Sequence, residues 1–232
     1  MARLERPVSK SSNPATKFIE WKSNDKCFSF YDKDKQTNTP IELPFKFLFL
    51  EHYHTVKGWH GATDKGIYSN EIYAMTEELT VKTFGGLEVA KGVYKDIKEK
   101  VNAAGGKYVR SIYIMLEDGT MANLQLKGAV VGGLKKEQAV SKKDVQGYSE
   151  FYKEQKHLLD NQWIEVNSFE DAKKGATKYS IPVFTVGEPI SREADANANK
   201  VVAILQDYMN DYFGKKKPVE AIEVITDDDL DF

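Results

Sequence analysis

Tyr108-Val-Arg-Ser-Ile-Tyr-Ile-Met-Leu116 and Met121-Ala-Asn-Leu-Gln-Leu126 stand on either side of Glu117-Asp-Gly-Thr120. Both runs are rich in β-branched and aromatic residues, and an Asp-Gly pair between two apolar runs is a strong short-range hairpin signal. The hairpin makes this region a sheet, and the residues before it extend the pattern. Lys17–Lys22 and Cys27–Tyr31 flank a Ser-Asn-Asp turn. Pro44 to Tyr53 is a long strand rich in aromatics, in which Phe45, Phe47 and Phe49 share one face as a core pattern. Gly66–Met75 and Leu79–Phe84 follow, the latter closed by Gly85-Gly86. Between these strands and the hairpin, Leu87, Val89, Val93, Ile97 and Val101 recur at helical spacing, with Gly105-Gly106 as the stop.

Strands, a helix and a closing hairpin form the element order of an OB-type barrel. The fold class expected is therefore α+β, mainly β: an OB-like barrel of five or six strands over about residues 17–127. An α+β extension follows over about 128–218. Gly128–Gly133 reads as a tight crossover, Tyr148–Leu159 as a short helix, and Trp163–Val166 and Tyr179–Val186 as strands. The extension closes on a long amphipathic helix near 197–213. Its stripe is Val201, Val202, Ile204, Leu205, Tyr208, Met209, Tyr212 and Phe213, and Gly214 and Pro218 end it. The domain plan is an arm (1–16), one domain (17–218) and a tail (219–232). The arm is flexible and basic, with Arg3, Arg6 and Lys10; the tail is flexible and acidic.

A chain of 232 residues, 41% hydrophobic and 29% charged, can bury roughly 70% of its unfolded surface. That excludes a membrane protein and a wholly disordered one. Cys27 is the single cysteine, so neither an intramolecular disulfide nor a multi-cysteine zinc site can form, and in an aromatic strand it reads as a small buried hydrophobe. With no apolar run long enough to span a bilayer and no signal-peptide pattern at the start, a soluble, cytoplasmic protein is expected.

The formal net charge of −2 is unevenly spread: all 33 Lys and Arg lie at or before Lys217. The last fourteen residues hold six acids, which leaves 29 acids against 33 basic residues before them, a formal +4. A basic body with an acidic tail points to an anion partner, nucleic acid being the common case, with a plain solubilising tail as the alternative.

Catalytic patterns are missing. The sequence contains no Walker A loop, no nucleophile elbow, no HExxH and no Gly-x-Gly-x-x-Gly. No enzyme activity, cofactor or metal is expected, although His52 and His54 on one strand face with Asp64 nearby allow a metal-dependent nuclease to be drawn. The remaining constellation interleaves aromatics with cations: Trp21-Lys22, Lys57-Gly-Trp59, Tyr68, Lys107-Tyr108-Val-Arg110 and Tyr113. Residues 91–143 alone carry eleven Lys and Arg against five acids. Cations that follow phosphates and aromatic faces that stack unpaired bases are the chemistry of single-strand binding. The candidate DNA surface is thus Trp21, Lys22, Lys57, Trp59, Tyr68, Lys107, Tyr108, Arg110 and Tyr113.

The chain ends Thr226-Asp-Asp-Asp-Leu-Asp-Phe232. An acidic tip closing on a hydrophobic residue and Phe resembles the tails of bacterial and phage single-stranded DNA-binding proteins. The departure is at Leu230-Asp231, where Ile-Pro would be usual; Asp-Phe is nearer the phage style. The resemblance implies a protein that coats single-stranded DNA during phage-type replication, recombination and repair, in the host cytoplasm. It also implies that Asp227, Asp228, Asp229, Leu230, Asp231 and Phe232 dock on partner proteins such as a polymerase, helicase or primase. A homo-oligomer is compatible with this. The alternative is a non-enzymatic phage structural or virion-internal protein whose tail serves assembly.

Overall fold

The computed structural model describes residues 12–214. The acidic tail and the first eleven residues of the basic arm lie outside the described residues. From Asn13 onward the arm is tied to the body: the Asn13 amide donates to the Tyr113 hydroxyl (3.0 Å), and the Thr16 N–H donates to the Met121 carbonyl (3.1 Å).

Eleven strands and four helices follow in chain order. The first seven strands are β1 (Lys17–Lys22), β2 (Cys27–Asp32), β3 (Thr37–Ile41), β4 (Phe45–His60), β5 (Lys65–Ser69), β6 (Glu78–Thr83) and β7 (Glu88–Val93). Then come α1 (Tyr94–Ala103), β8 (Gly106–Leu116), β9 (Met121–Leu126), α2 (Ala129–Gly132) and α3 (Tyr148–Gln155). A long hairpin, β10 (Gln162–Lys174) with β11 (Thr177–Pro189), leads into α4 (Arg192–Gly214). The fold is α+β and mainly strand, with an open mixed sheet and a C-terminal helix.

The main sheet runs β3-β2-β1-β9-β8-β4-β5-β6-β7, and β10 joins it at the start of β4. Only the β1–β9 pair is parallel among the described strands. Nine strands therefore stand where a barrel of five or six was expected, and the path is open, with β3 and β7 at its ends. Two of the additional strands come from stretches not expected as strands. Residues 37–41, a polar stretch, pair along β2. Residues 88–93, expected to open the helix, pair with β6 instead, through Gly92 at φ 144 to Val93, and α1 starts at Tyr94. Val89 and Val93 fit both periods, and the partner strand decides between them.

The sixteen residues of β4 are the spine of the sheet: β4 pairs with β8 along most of its length, β5 at its end and β10 at its beginning. One face of the sheet carries the larger core, including Ile19, Phe28, Phe45, Phe47, Val56, Ile112 and Leu124, under α1, α3 and the β10–β11 hairpin. The opposite face is covered at one end only. There Leu48, Tyr53, Tyr113, Met115 and Met121 pack with Trp163 under Ala198, Val201, Leu205 and Met209 of α4. The apolar stripe of α4 is narrower than its spacing suggests, since Val202 and Ile204 are exposed. The other end of this face is not covered by α4, and the cationic and aromatic residues gather there.

Candidate nucleic-acid interface

Register places a lateral row of four side chains across four strands of the uncovered face. Lys107 of β8 is paired with Lys57 of β4, Lys57 with Tyr68 of β5, and Tyr68 with Lys82 of β6. Directly paired residues project to the same side of a sheet, so the row is one surface. One step further along, Trp59 is paired with Gly66, and the Phe84 ring lies over Gly66. A Cβ at Gly66 would stand 2.5 Å from that ring, so the missing side chain is what admits it. Phe84 stacks on Tyr68 with ring centroids 5.0 Å apart and planes at 23°. Phe84 is 75% exposed and Trp59 57% exposed, both large apolar areas to leave in water. The Trp59 indole N–H donates to Asp64 Oδ1 (3.2 Å), which orients the ring.

The sheet is curled toward this face. Lys57 Nζ lies 5.0 Å from the centroid of the Phe18 ring, although β9 and β8 separate their strands. Burial lowers the pKa of the Lys57 ammonium, while the carboxylates of Glu71 and Glu20 oppose the shift. Beside Phe18, Lys22 and Lys127 converge on Glu20 at 3.3 and 3.5 Å. Burial alone would raise the Glu20 carboxyl, but the two lysines together hold it below its ordinary value. One carboxylate shared between two ammonium groups leaves net positive charge at this edge.

Beneath the open surface runs a chain of polar side chains. Gln125 donates to Asn123 (2.9 Å), Asn123 donates to the Ser111 hydroxyl (2.8 Å), and Ser111 donates to Glu71. Tyr113 donates to the other Glu71 oxygen (3.1 Å), and the Glu71 N–H donates to the Tyr212 hydroxyl of α4 (2.7 Å). Burial raises the Glu71 pKa, with Ser111, Tyr113 and Lys57 acting against it. The network joins the floor of the groove to the last turn of α4.

Of the nine residues read as a DNA surface, Lys22, Lys57, Trp59, Tyr68 and Lys107 share this face. The other four are interior. Trp21 is 6% exposed, donates its indole N–H to the Ser180 carbonyl (2.8 Å) and packs edge-on against Phe28. Tyr108 is buried with its hydroxyl 2.7 Å from His54 Nδ1. Arg110, 1% exposed, donates to His52 Nε2 (3.0 Å) and Ser149 Oγ (3.4 Å). Strand alternation is the reason: Lys107 points to the open face, so Tyr108 and Arg110 point to the core. Tyr113 is on the groove side, but α4 packs over it. Trp59 also differs in setting, since it lies within β4, one residue before its end, rather than in a loop.

The lysines and aromatics that the interleaved pattern missed are Phe18, Lys82, Phe84 and Lys127. Phe84 directly precedes the Gly85-Gly86 pair, and Phe18 and Lys127 come to one face only through the parallel β1–β9 pairing. The polar network had a visible signal: Asn123 and Gln125 alternate with Ala122, Leu124 and Leu126.

The nuclease alternative needs His52, His54 and Asp64 together, and they are not. The two histidines face the core with ring centroids 6.1 Å apart, bound to Arg110 and Tyr108, while Asp64 is in the β4–β5 turn on the Trp59 indole. Among the described residues no group of three or more His, Cys, Asp or Glu is placed to hold a metal ion. No helix among them is long and apolar enough to cross a membrane. No protein-family model, curated protein or solved structure matches this chain.

Proposed function

We propose that this protein binds single-stranded DNA in the groove, coating it during phage-type replication, recombination and repair. The observation that carries the reading is the single row Lys107, Lys57, Tyr68, Lys82, flanked by the exposed rings of Trp59, Phe84 and Phe18. Ammonium groups spaced along a strand of phosphates release counterions, and flat aromatic faces beside them take unstacked bases of any sequence. A curled sheet with a helix inserted before its closing hairpin serves as an OB-like platform for such a strand, with the open edges as its departure from a barrel.

The acidic tip, Asp227, Asp228, Asp229, Leu230, Asp231 and Phe232, is assigned to partner docking and to competition with DNA for the lysines. What supports the second role is where the body ends. Phe213 packs on Tyr53 and Tyr73, and Tyr212 accepts from Glu71, whose carboxylate is close enough to Lys57 to perturb it. The chain leaves the described residues beside the groove, so a tethered acidic segment acts there at an effective concentration near millimolar. No catalytic step and no cofactor enter this reading.

A titration with a single-stranded oligonucleotide and its duplex counterpart at two salt concentrations tests it. Tight, sequence-tolerant binding of the single strand that weakens steeply with salt is expected, with much weaker binding of the duplex. Equal affinity for the two forms would overturn it.

A further inference from the structure

Among the described residues, the sheet sets lysine directly opposite lysine at two places. One is Lys57 and Lys107 in the groove; the other is Lys173 and Lys178 near the tip of the β10–β11 hairpin. Like charges directly opposite each other destabilise a ladder. Elsewhere the cross-strand charges are complementary, as in Lys82 with Glu88 and Glu165 with Lys46. Both lysine pairs mark positions where a bound polyanion would relieve the repulsion.

The hairpin tip is enlarged by the loop over residues 135–143, which adds to its edge. The Val140 N–H donates to the Asp171 carbonyl (2.8 Å), and the Lys173 N–H donates to the Gln138 carbonyl (2.9 Å). These bonds set the loop that carries Lys135, Lys136, Lys142 and Lys143 against the hairpin that carries Lys173, Lys174 and Lys178, all seven exposed. Four acids lie among them, Glu137, Asp144, Glu170 and Asp171, and Asp171 is already engaged by Lys26 at 2.9 Å.

The hairpin is also joined to the rim of the groove. The β1–β2 turn, which begins after Lys22, is clamped to the middle of the hairpin: Ser23 Oγ donates to the Ser180 carbonyl (2.9 Å), and Ser180 Oγ donates to the Ser23 carbonyl (2.7 Å). Lys26 lies over the half-exposed Phe169 ring at 4.6 Å from its centroid. Phe169, Asp171 and Lys173 alternate onto one side of β10, so an aromatic face precedes the lysine pair along the hairpin.

We propose that the β10–β11 tip, with the 135–143 loop, is a second phosphate-binding site for the same single strand, reached from the groove by way of Lys22, Lys26 and Phe169. The inference rests on the reading of the groove as a single-strand site. It makes the footprint of one molecule longer than the groove, and it makes the hairpin matter only to strands long enough to reach it.

The test compares the K173Q/K178Q double variant with the parent protein on oligonucleotides of about 6 and about 30 nucleotides. With the long strand, the slope of log affinity against log salt is expected to be shallower by about 1.4 in the variant, since each phosphate contact on a single strand contributes about 0.7. With the short strand the slope and affinity stay as in the parent. Removing a like-charge pair leaves the melting temperature unchanged or raised, so unfolding does not mimic the effect. An unchanged slope on the long strand, or an equal change on both lengths, overturns the second site while the groove stands. Failure of the parent protein to bind either length overturns the groove reading, and the second site falls with it.

Discussion

Trp59→Ala separates the groove from the core with one substitution. The chain has three tryptophans, and their exposures are 6% for Trp21, 7% for Trp163 and 57% for Trp59. A base that stacks on the protein therefore meets Trp59 alone among the three. Stacking on an aromatic face contributes about 1–3 kcal/mol per base. The variant should thus bind a single strand about 5- to 150-fold more weakly. The loss should be similar at about 50 and about 200 mM salt, because stacking releases no counterions. Lys57→Gln should behave differently, reducing the salt slope by about 0.7. Stability should scarcely change in Trp59→Ala, since the side chain is mostly in water and its one hydrogen bond, to Asp64, is at the surface. Trp21→Ala, by contrast, empties a core site and removes the bond to Ser180, and should cost about 3–5 kcal/mol of stability. The assay is intrinsic fluorescence alongside anisotropy of a labelled oligonucleotide, with thermal melts as the control. Quenching of full amplitude in Trp59→Ala, or affinity within about twofold of the parent at both salts, would refute the stacking role.

Gly66→Val should displace the Phe84 ring, because a Cβ there stands 2.5 Å from it; single-strand affinity drops by a stacking contribution of about 1–3 kcal/mol with little change in melting temperature, and unchanged affinity would exclude Phe84 from the site. Burial, aided by Arg110, lowers the pKa values of His52 to about 3 and of His54 to about 2. The unfolded chain takes up these protons below about pH 6.5 and the folded chain does not, so stability falls with pH from there, by up to about 1.4 kcal/mol per histidine per unit. Urea midpoints at pH 7 and pH 5 measure this, and a His52→Gln/His54→Gln variant should flatten the dependence. Deleting Asp227 to Phe232 should raise single-strand affinity, most at low salt where the competition is least screened; Phe232→Ala should leave that affinity intact and abolish partner binding. Equal affinity of the truncated and full chains at both salts would remove the competitor role.

Local pattern determined the hairpin of β8 and β9, the strands that begin at Lys17, Cys27 and Phe45, and the long last helix, because each signal lies within a few residues of chain: an Asp-Gly turn, a period of two, an apolar stripe ended by Gly214. It also determined which residue types single-strand chemistry would use. It did not determine which of them face outward. Lys107 and Tyr108 are neighbours in a strand and so point to opposite sides, but which side is interior depends on α1, α3 and the hairpin packing against it. Tyr113 shares the groove side and is still buried, because α4, some eighty residues later, covers that end and not the other. Phe18, Lys127 and Lys57 come together through a parallel pairing of the first strand with the ninth, a contact that no spacing in the sequence encodes. Periodicity is a property of adjacent residues. Burial and register are set by whatever packs against them, and the tertiary structure alone decided those.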